Sequence, residues 1–147
     1  MINSSKIETT PACICLRFRK AARRVSQIYD QHLESYGITI TQYGLLGHIR
    51  RFEGISVGAL AEKLVMDPTT LTRNLRPLER KGFVLMIPDE KDRRSRNLSL
   101  TTSGYEALVA ARPGWDTAQE KIGNVRGFDT NKLMIDTIDQ MIEDLRE

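Results

Sequence analysis

The residues whose types and spacing suggest chemistry begin in residues 67–81. Leu71, Leu75 and Leu78 recur at i, i+4 and i+7, which predicts a helix that buries one leucine stripe. The opposite face of that helix carries hydroxyl and guanidinium groups, from Thr69, Thr72, Arg73 and Arg76. Such groups bond to base edges and phosphate oxygens, and an α-helix fits the major groove of duplex DNA. The segment therefore has the chemistry of a helix that contacts nucleic acid.

A run of charges follows in residues 89–96. Its basic members are Lys91, Arg93, Arg94 and Arg96, and its acidic members are Asp89, Glu90 and Asp92. Because these charges nearly cancel, general attraction to phosphate explains little. We expect Asp92 to hold Arg94 in place while Arg93 or Arg94 enters the minor groove, whose potential is most negative where it is narrow. A charged helix face or a charged turn alone is usually just solvated, but the two in this order favour DNA binding.

The periodicity of the chain places both groups within a set of short elements. A helix is expected over residues 11–36, after a loose arm at residues 1–10, with Gly37 ending it. Thr41, Ser56 and Asp67 are expected to cap the next three helices, and the last of these ends at Gly82.

The period then changes from helical to alternating. Residues 83–87 and 96–100 predict two strands of a β-hairpin whose long tip is charged. Helices return at residues 102–125, with a kink or break expected at Pro113-Gly114, and at residues 128–145. Three helices followed by a hairpin make a winged helix-turn-helix. The expected fold class is therefore mainly α with a small β-hairpin, flanked by helices at both ends.

Composition excludes several classes of protein. The 147 residues suit one domain, with 40% hydrophobic and 28% charged residues and a net charge of +3. Cys13 and Cys15 lie too close together to staple distant parts of the fold, and no apolar run has membrane-spanning length. With no signal peptide evident, we expect a cytoplasmic protein that contacts no membrane.

An enzyme, a metal site and a cofactor are also not expected. The chain shows no convincing Cys–His catalytic pair, no Gly-rich phosphate loop and no paired-carboxylate motif. Its two histidines and two cysteines lack metal-ligand spacing. A winged helix that makes only protein contacts stays open as an alternative, although the threonine and arginine face argues against it.

Four motifs resemble the MarR family of transcription regulators. They are DPTTLTRNLRPLERKG at residues 67–82, DEKDRR at residues 89–94, LTTSG at residues 100–104 and GITITQYGLL at residues 37–46. The resemblance covers the chain from about residue 13 to residue 145. It implies a single domain over residues 1–147, with dimerisation helices at about 11–38 and 105–147 and a DNA-binding region at about 39–104.

The resemblance also implies which residues bind DNA. In the helix it points to Thr69, Thr70, Thr72, Arg73 and Arg76, and in the hairpin to Asp92 and Arg94, beside which we place Arg93 and Arg96. Members of the family are homodimers that bind pseudo-palindromic operators in double-stranded DNA, and they usually act as repressors. A two-fold dimer would place the two recognition helices about one DNA turn, roughly 34–36 Å, apart.

The terminal helices give the dimer a rationale of their own. They carry more apolar surface than one short winged helix can cover. The last of them is also acidic, with Asp129, Asp136, Asp139, Glu143, Asp144 and Glu147 against Lys132 and Arg146. We therefore expect that end of the chain to lie away from DNA.

Two signals could release the protein from DNA. Many family members respond to a small aromatic or phenolic ligand, for which the candidates here are Arg19, Tyr29, Tyr43 and His48. Tyr36, Phe52 and Trp115 could line the same pocket, near the first, second and fifth helices. Others sense oxidants through a cysteine, and Cys15 has a similar place near the start of the first helix, although Arg19 and Ile40 replace other supporting positions. A redox-responsive repressor, and less so a thiol peroxidase, therefore stay open beside the ligand-responsive repressor.

Overall fold

The structure is a computed structural model of the protein, and it describes residues 13–146. The helices are α1 (Ile14–Leu33), α2 (Ile40–Arg51), α3 (Val57–Lys63), α4 (Pro68–Arg80), α5 (Thr102–Arg126) and α6 (Phe128–Asp144), with a 3₁₀ turn at Glu34–Tyr36. The strands are β1 (Val84–Pro88) and β2 (Arg96–Leu100). This order confirms the expected fold class. The arm at residues 1–10 and the predicted helix start at Pro11 lie outside the described residues.

A single apolar core holds α2, α3, α4 and the hairpin together. Leu71, Leu75 and Leu78 of α4 are fully buried, as their spacing predicts. They pack with the buried side chains of neighbouring elements, Leu45, Leu46, Ile49, Leu60, Ala61, Val84, Leu98 and Leu108. Because one face of α4 is buried in this core, its other face is left to solvent.

The hairpin pairs in an antiparallel register that runs from Val84 opposite Leu100 to Pro88 opposite Arg96. A further isolated bridge joins Asn97 to Ser56, directly before α3. Leu98 also donates its N–H to the Ile55 carbonyl at 2.8 Å. The hairpin is therefore fixed at its base to the α2–α3 connection, while its charged tip projects away from the core.

The cap of α2 is one correction to the sequence analysis. Thr39, rather than Thr41, caps the helix, with its hydroxyl accepting from the Gln42 N–H at 3.2 Å. The Gln42 side chain in turn accepts from the Thr39 N–H at 3.1 Å. This reciprocal capping box needs Glu or Gln three residues after the cap, and only Thr39 has one.

The helix α5 is a second correction, because it is continuous through Pro113 and Gly114. A Cβ on Gly114 would lie 2.4 Å from the His32 carbonyl oxygen, so α5 approaches the end of α1 closely at this position. The missing side chain permits that approach, and the packing holds the helix together although Pro113 contributes no N–H. The expected break at this dipeptide is therefore wrong.

A smaller cluster joins α1 and α5 to the core. It contains Leu33, Ile38 and Ala111, and the side chains of Tyr43 and Phe83 pack against both clusters. Side chains from α1, from α2 and from directly before β1 thus pack against one another. This cluster connects the terminal helices to the part of the fold that carries α4 and the hairpin.

The terminal helices expose broad apolar faces in the single chain. No residue of α6 is buried, and Phe128 is 79% exposed. Large apolar side chains are also exposed along α1 and near the end of α5, namely Ile14, Leu16, Phe18, Val25 and Val125. Among the described residues, none of the helices has the length and hydropathy needed to cross a lipid bilayer.

Candidate nucleic-acid interface

The start of α4 is built to present its first turn to solvent. Asp67 caps the helix, its carboxylate accepting from the Thr70 N–H at 3.1 Å, and Pro68 occupies the first helical position. The side chains of Thr69 and Thr70 are exposed, and that of Thr72 is half-buried. The first turn thus offers short hydroxyl side chains that let the backbone approach a base edge.

Two arginines continue the same face of α4. Arg73 and Arg76 are exposed, and Arg76 Nη1 lies 3.1 Å from Glu79 Oε1. A solvent-exposed ion pair contributes little stability, so the guanidinium of Arg76 can exchange this partner for a phosphate at small cost. All five helix residues predicted from the sequence therefore lie on the outward side of α4.

Residues 89–95 at the tip of the hairpin, which we call the wing, owe their shape to two aspartates. The Asp89 carboxylate accepts from the Lys91 N–H at 2.8 Å, and the Asp92 carboxylate accepts from the Arg94 N–H at 3.0 Å. The Ser95 N–H donates to the Asp92 carbonyl at 2.9 Å. Asp92 thus orients Arg94 through its backbone N–H and not through its guanidinium. The sequence analysis did not distinguish between these two contacts.

One open groove of about 550 Å³ brings the two regions together. From α4 it is lined by Thr69, Thr72 and Arg76, and from the hairpin by Asp92, Arg94 and Arg96. Thr70, Arg73 and Arg93 are exposed but do not line it. A single concave surface therefore carries hydroxyls from a helix and guanidiniums from a hairpin.

The groove also contains residues that the sequence analysis missed. Val57 and Gly58 at the start of α3 line it, together with Pro68 and Ser95. The signal for α3 was present in the sequence, because Ser56 caps that helix and its hydroxyl accepts from the Ala59 N–H at 3.1 Å. Gly58, the second residue after the cap, has no side chain and leaves room for a ligand backbone to approach.

The comparisons with known proteins agree with this geometry. A profile of the MarR family matches residues 38–95. The solved structure of the M. tuberculosis transcriptional regulator MosR in complex with DNA is 32% identical over 92% of this chain and 99% of that one, with a TM-score of 0.79. The chain belongs to the MarR family.

Two other relatives match this MarR-family chain. SarZ of Staphylococcus epidermidis, an HTH-type transcriptional regulator, is 33% identical over 93 residues, which are 63% of each chain. That match therefore spans somewhat less than two thirds of the curated relative. The structure of an S. aureus MepR–DNA complex is 27% identical over 91% of this chain and 99% of that one, with a TM-score of 0.78.

The five residues proposed from the sequence for sensing a signal do not form one site in this MarR-family protein. Trp115 brings Tyr29 and Tyr43 together, its ring lying 6.3 Å and 6.0 Å from theirs. His48 bonds to the Gly44 carbonyl of its own helix at 2.8 Å. Cys15 precedes Tyr29 by 14 residues of α1, about 21 Å along the helix axis.

The aromatic cluster around Trp115 has polar atoms at its edge. The hydroxyl of Tyr29 donates to the Gln119 side chain, and the guanidinium of Arg112 lies 5.0 Å from the Trp115 ring. Burial raises the pKa of Tyr29 and of Tyr43, so both phenols stay protonated at neutral pH and can donate hydrogen bonds.

The other candidates lie apart from that cluster. Cys15 and Arg19 are exposed on the first half of α1, and Cys13 is exposed directly before it, so the cysteines are not core residues of the single chain. Within residues 13–146, no cluster of His, Cys, Asp and Glu has the arrangement of a metal site.

A strained residue stands next to the recognition helix, and it gives a first testable prediction. Val65, in the turn between α3 and α4, has φ of +52° and is 75% exposed. A β-branched side chain in this left-handed region is an outlier, and its exposure leaves little packing to compensate. We expect Val65→Gly to stabilise the protein by about 1 kcal/mol, since the left-handed conformation costs an L-residue roughly 1–2 kcal/mol.

Urea unfolding, followed by circular dichroism, measures this gain. Val65→Ala is the matched control, because it removes the branch but keeps the Cβ and should give a smaller gain. A loss of stability in Val65→Gly would show that contacts of the valine outweigh the strain.

Proposed function

We propose that this chain is a transcription regulator that binds duplex DNA as a homodimer. In this proposal, the first turns of α4 enter the major groove and the wing enters the neighbouring minor groove. The observation that carries it is the shared groove, in which Thr69, Thr72 and Arg76 face Arg94 and Arg96. Helix N-terminal residues reach base edges, while arginines bind phosphates and narrow minor grooves.

The exposed apolar helices support the dimer. A protein that remained a monomer would leave the apolar faces of α1 and α6 in water, and patches of this kind mark interaction sites. The charges of the two helices are complementary, since α1 carries Arg17, Arg19, Lys20, Arg23 and Arg24, whereas α6 carries Asp129, Asp136, Asp139, Glu143 and Asp144. A second copy of the chain can therefore cover both apolar faces and pair opposite charges.

The dimer determines what kind of DNA is bound. Two-fold symmetry requires two copies of the same half-site in opposite orientation, which is a pseudo-palindromic operator. The acidic α6 would be repelled by phosphate, so this helix must lie on the side of the dimer away from DNA. Repression then follows from occupancy of an operator that overlaps a promoter.

We further propose that a small aromatic acid or phenol releases the protein from DNA. The cluster of Tyr29, Tyr43 and Trp115 offers aromatic surface for such a ligand. Arg112 at its edge is paired with Asp116 through Nε at 2.8 Å, and its two terminal amino groups remain to bind an acidic group. Because Tyr43 packs against the core that holds α4, a ligand wedged beside it would move α4 relative to the terminal helices. Oxidation at the exposed Cys15 is the alternative signal.

Fluorescence anisotropy with labelled DNA from upstream of the coding sequence tests the DNA-binding proposal. We expect saturable binding that is much tighter than to a scrambled duplex, and an affinity that falls steeply with salt because bound cations are released from the phosphates. Equal affinity for both duplexes at every salt concentration would contradict a sequence-specific regulator.

The same assay separates the two signals. An aromatic acid should release the DNA and change the fluorescence of Trp115, the single tryptophan of the chain. Hydroperoxide should release the DNA only if Cys15 is the sensor, and Cys15→Ser would abolish that response. Release by hydroperoxide alone would overturn the ligand proposal in favour of the redox one.

A further inference from the structure

A pair of polar side chains, Asp89 of the wing and Asn97 of β2, lies outside the groove beside α4. Asp89 Oδ2 accepts a hydrogen bond from Asn97 Nδ2 at 3.2 Å, diagonally across the hairpin. The other oxygen of the same carboxylate accepts from the Lys91 N–H, and the Asp89 N–H donates to the Ser95 carbonyl. One residue therefore ties the tip of the hairpin to its base.

The base to which Asp89 is tied belongs to the rigid core. Asn97 pairs with Ser56 across the isolated bridge, and Ser56 caps α3. The residue after Asn97, Leu98, is fully buried and exchanges backbone hydrogen bonds with Gly54 and Ile55. A displacement of Asn97 would therefore have to disturb the connection between α2 and α3.

The two arginines of the wing have no comparable support. Arg93 and Arg94 are exposed, and within residues 13–146 no ion pair holds either guanidinium group. Their positions follow from the backbone of the wing alone. That backbone has no ladder of strand bonds between Asp89 and Ser95, so the bonds of Asp89 and Asp92 determine its shape.

Asp89 and Asn97 also face away from the groove. They line a separate depression with Ile87, Lys91 and Ser99, whereas the groove beside α4 is lined by Asp92, Arg94 and Arg96. The Asp92 carboxylate lines the groove, but the Asp89 carboxylate lies outside it and is occupied by hydrogen bonds to Lys91 and Asn97. Asp89 can therefore support the wing without contacting DNA.

We propose that Asp89 and Asn97 are positioning residues of the interface, whose side-chain hydrogen bond holds the wing arginines at the distance from α4 that duplex DNA requires. This inference rests on the proposed function, because it names residues that support DNA binding without contacting DNA. Its consequence is that loss of the bond removes part of the benefit of Arg94, and leaves the benefit of Arg73 on α4 unchanged.

A double-mutant cycle in the anisotropy assay tests the inference. Asp89→Ala should weaken operator binding about tenfold, within the range that one arginine contact supplies. Asp89→Ala combined with Arg94→Ala should bind about as well as Arg94→Ala alone, because Asp89 affects binding through the position of the Arg94 side chain, which is then absent. Asp89→Ala combined with Arg73→Ala should show the product of the two single losses.

An exchange of the two side chains provides a rescue. Asn97→Asp should weaken binding, because it sets two carboxylates against each other. Asp89→Asn together with Asn97→Asp should restore binding, since the introduced amide can donate to the introduced carboxylate while its oxygen accepts from Lys91 N–H. If the interface needed only a negative charge at residue 89, this exchange would not restore binding.

Hydrogen exchange of the Lys91 and Ser95 amides, measured without DNA, gives an independent readout. Exchange should be faster in Asp89→Ala and return towards the wild-type rate in the exchanged double variant. If the wild-type protein binds no operator, the proposed function fails, and the amide rates still decide whether Asp89 orders the wing. Unchanged amide exchange rates in Asp89→Ala would overturn the inference, and so would unchanged or tighter operator binding by that variant. The inference would also fail if Asp89→Ala lowered affinity by the same factor in the Arg94→Ala background as in the Arg73→Ala background.

Discussion

Arg94→Ala should weaken operator binding by roughly 30-fold to 10⁴-fold. A single arginine contact to DNA contributes about 1–3 kcal/mol, and a homodimer loses two such contacts with one substitution. Arg94 lines the groove beside α4 and its N–H is fixed by Asp92, so its side chain starts from a defined point on the wing. The affinity should be measured at several salt concentrations, because removal of a phosphate contact also lowers the salt dependence.

Two variants make the Arg94 result specific. Arg94→Lys keeps the charge but loses the planar guanidinium, so it should recover the salt dependence more completely than the affinity. Arg146→Ala removes an exposed arginine at the end of α6, where it pairs with Glu143, and should leave binding unchanged. Equal losses of operator affinity in Arg94→Ala and Arg146→Ala would show that the wing contributes only through the net charge of the protein.

The recognition helix shows how far local sequence rules reach. The leucine spacing of α4 predicted its buried face, and therefore its outward face, because the period of an α-helix determines which residues share a face. Asp67-Pro68 marked its first residue for the same reason: a cap and a proline fit only at a helix start. The hairpin was equally predictable, since the change of period and the charged tip are local signals.

The errors of the sequence analysis are of two kinds. The cap of α2 was a local error, because Gln42 lies three residues after Thr39 and identifies it as the cap from the sequence alone, whereas the others depend on neighbours in space. Pro113 looks like a helix breaker until the close packing of Gly114 on α1 is known. Asp89 appeared as one more charge in the wing, because its bond to Asn97 depends on the register of the hairpin.

The sensing residues show the same limit. Tyr29, Tyr43 and Trp115 were named together from the sequence, but their aromaticity alone did not show that these three meet while His48 and Arg19 lie apart. Cys15 lies near the start of α1, as expected, and is exposed in the single chain. Whether it stays accessible in the dimer that we propose depends on contacts between two chains, which no local sequence pattern specifies.

Ile135→Glu in α6 should convert the dimer into monomers and reduce operator affinity by about 10³-fold or more. Ile135 is 51% exposed in the single chain and shares the apolar face of α6 with Phe128 and Ile142. By two-fold symmetry one substitution buries two unpaired carboxylates in an apolar interface, and each costs several kcal/mol. A monomer then binds one half-site alone and loses the advantage of linked binding.

Sedimentation velocity measures the change in mass, and circular dichroism at the same concentration shows whether the separated chains stay folded. Gln140→Glu is the matched control, since it adds the same charge on the acidic face of α6, beside Asp136 and Asp144, and should remain dimeric. It also removes the exposed hydrogen bond from Gln140 to Asp144, so its own stability is measured by the same circular dichroism. The helix α6 of the single chain contributes no buried residue to the core, so the monomer has a physical reason to keep its DNA-binding region intact. A dimer that survives Ile135→Glu with unchanged affinity would mean that the apolar face of α6 is not where two chains meet.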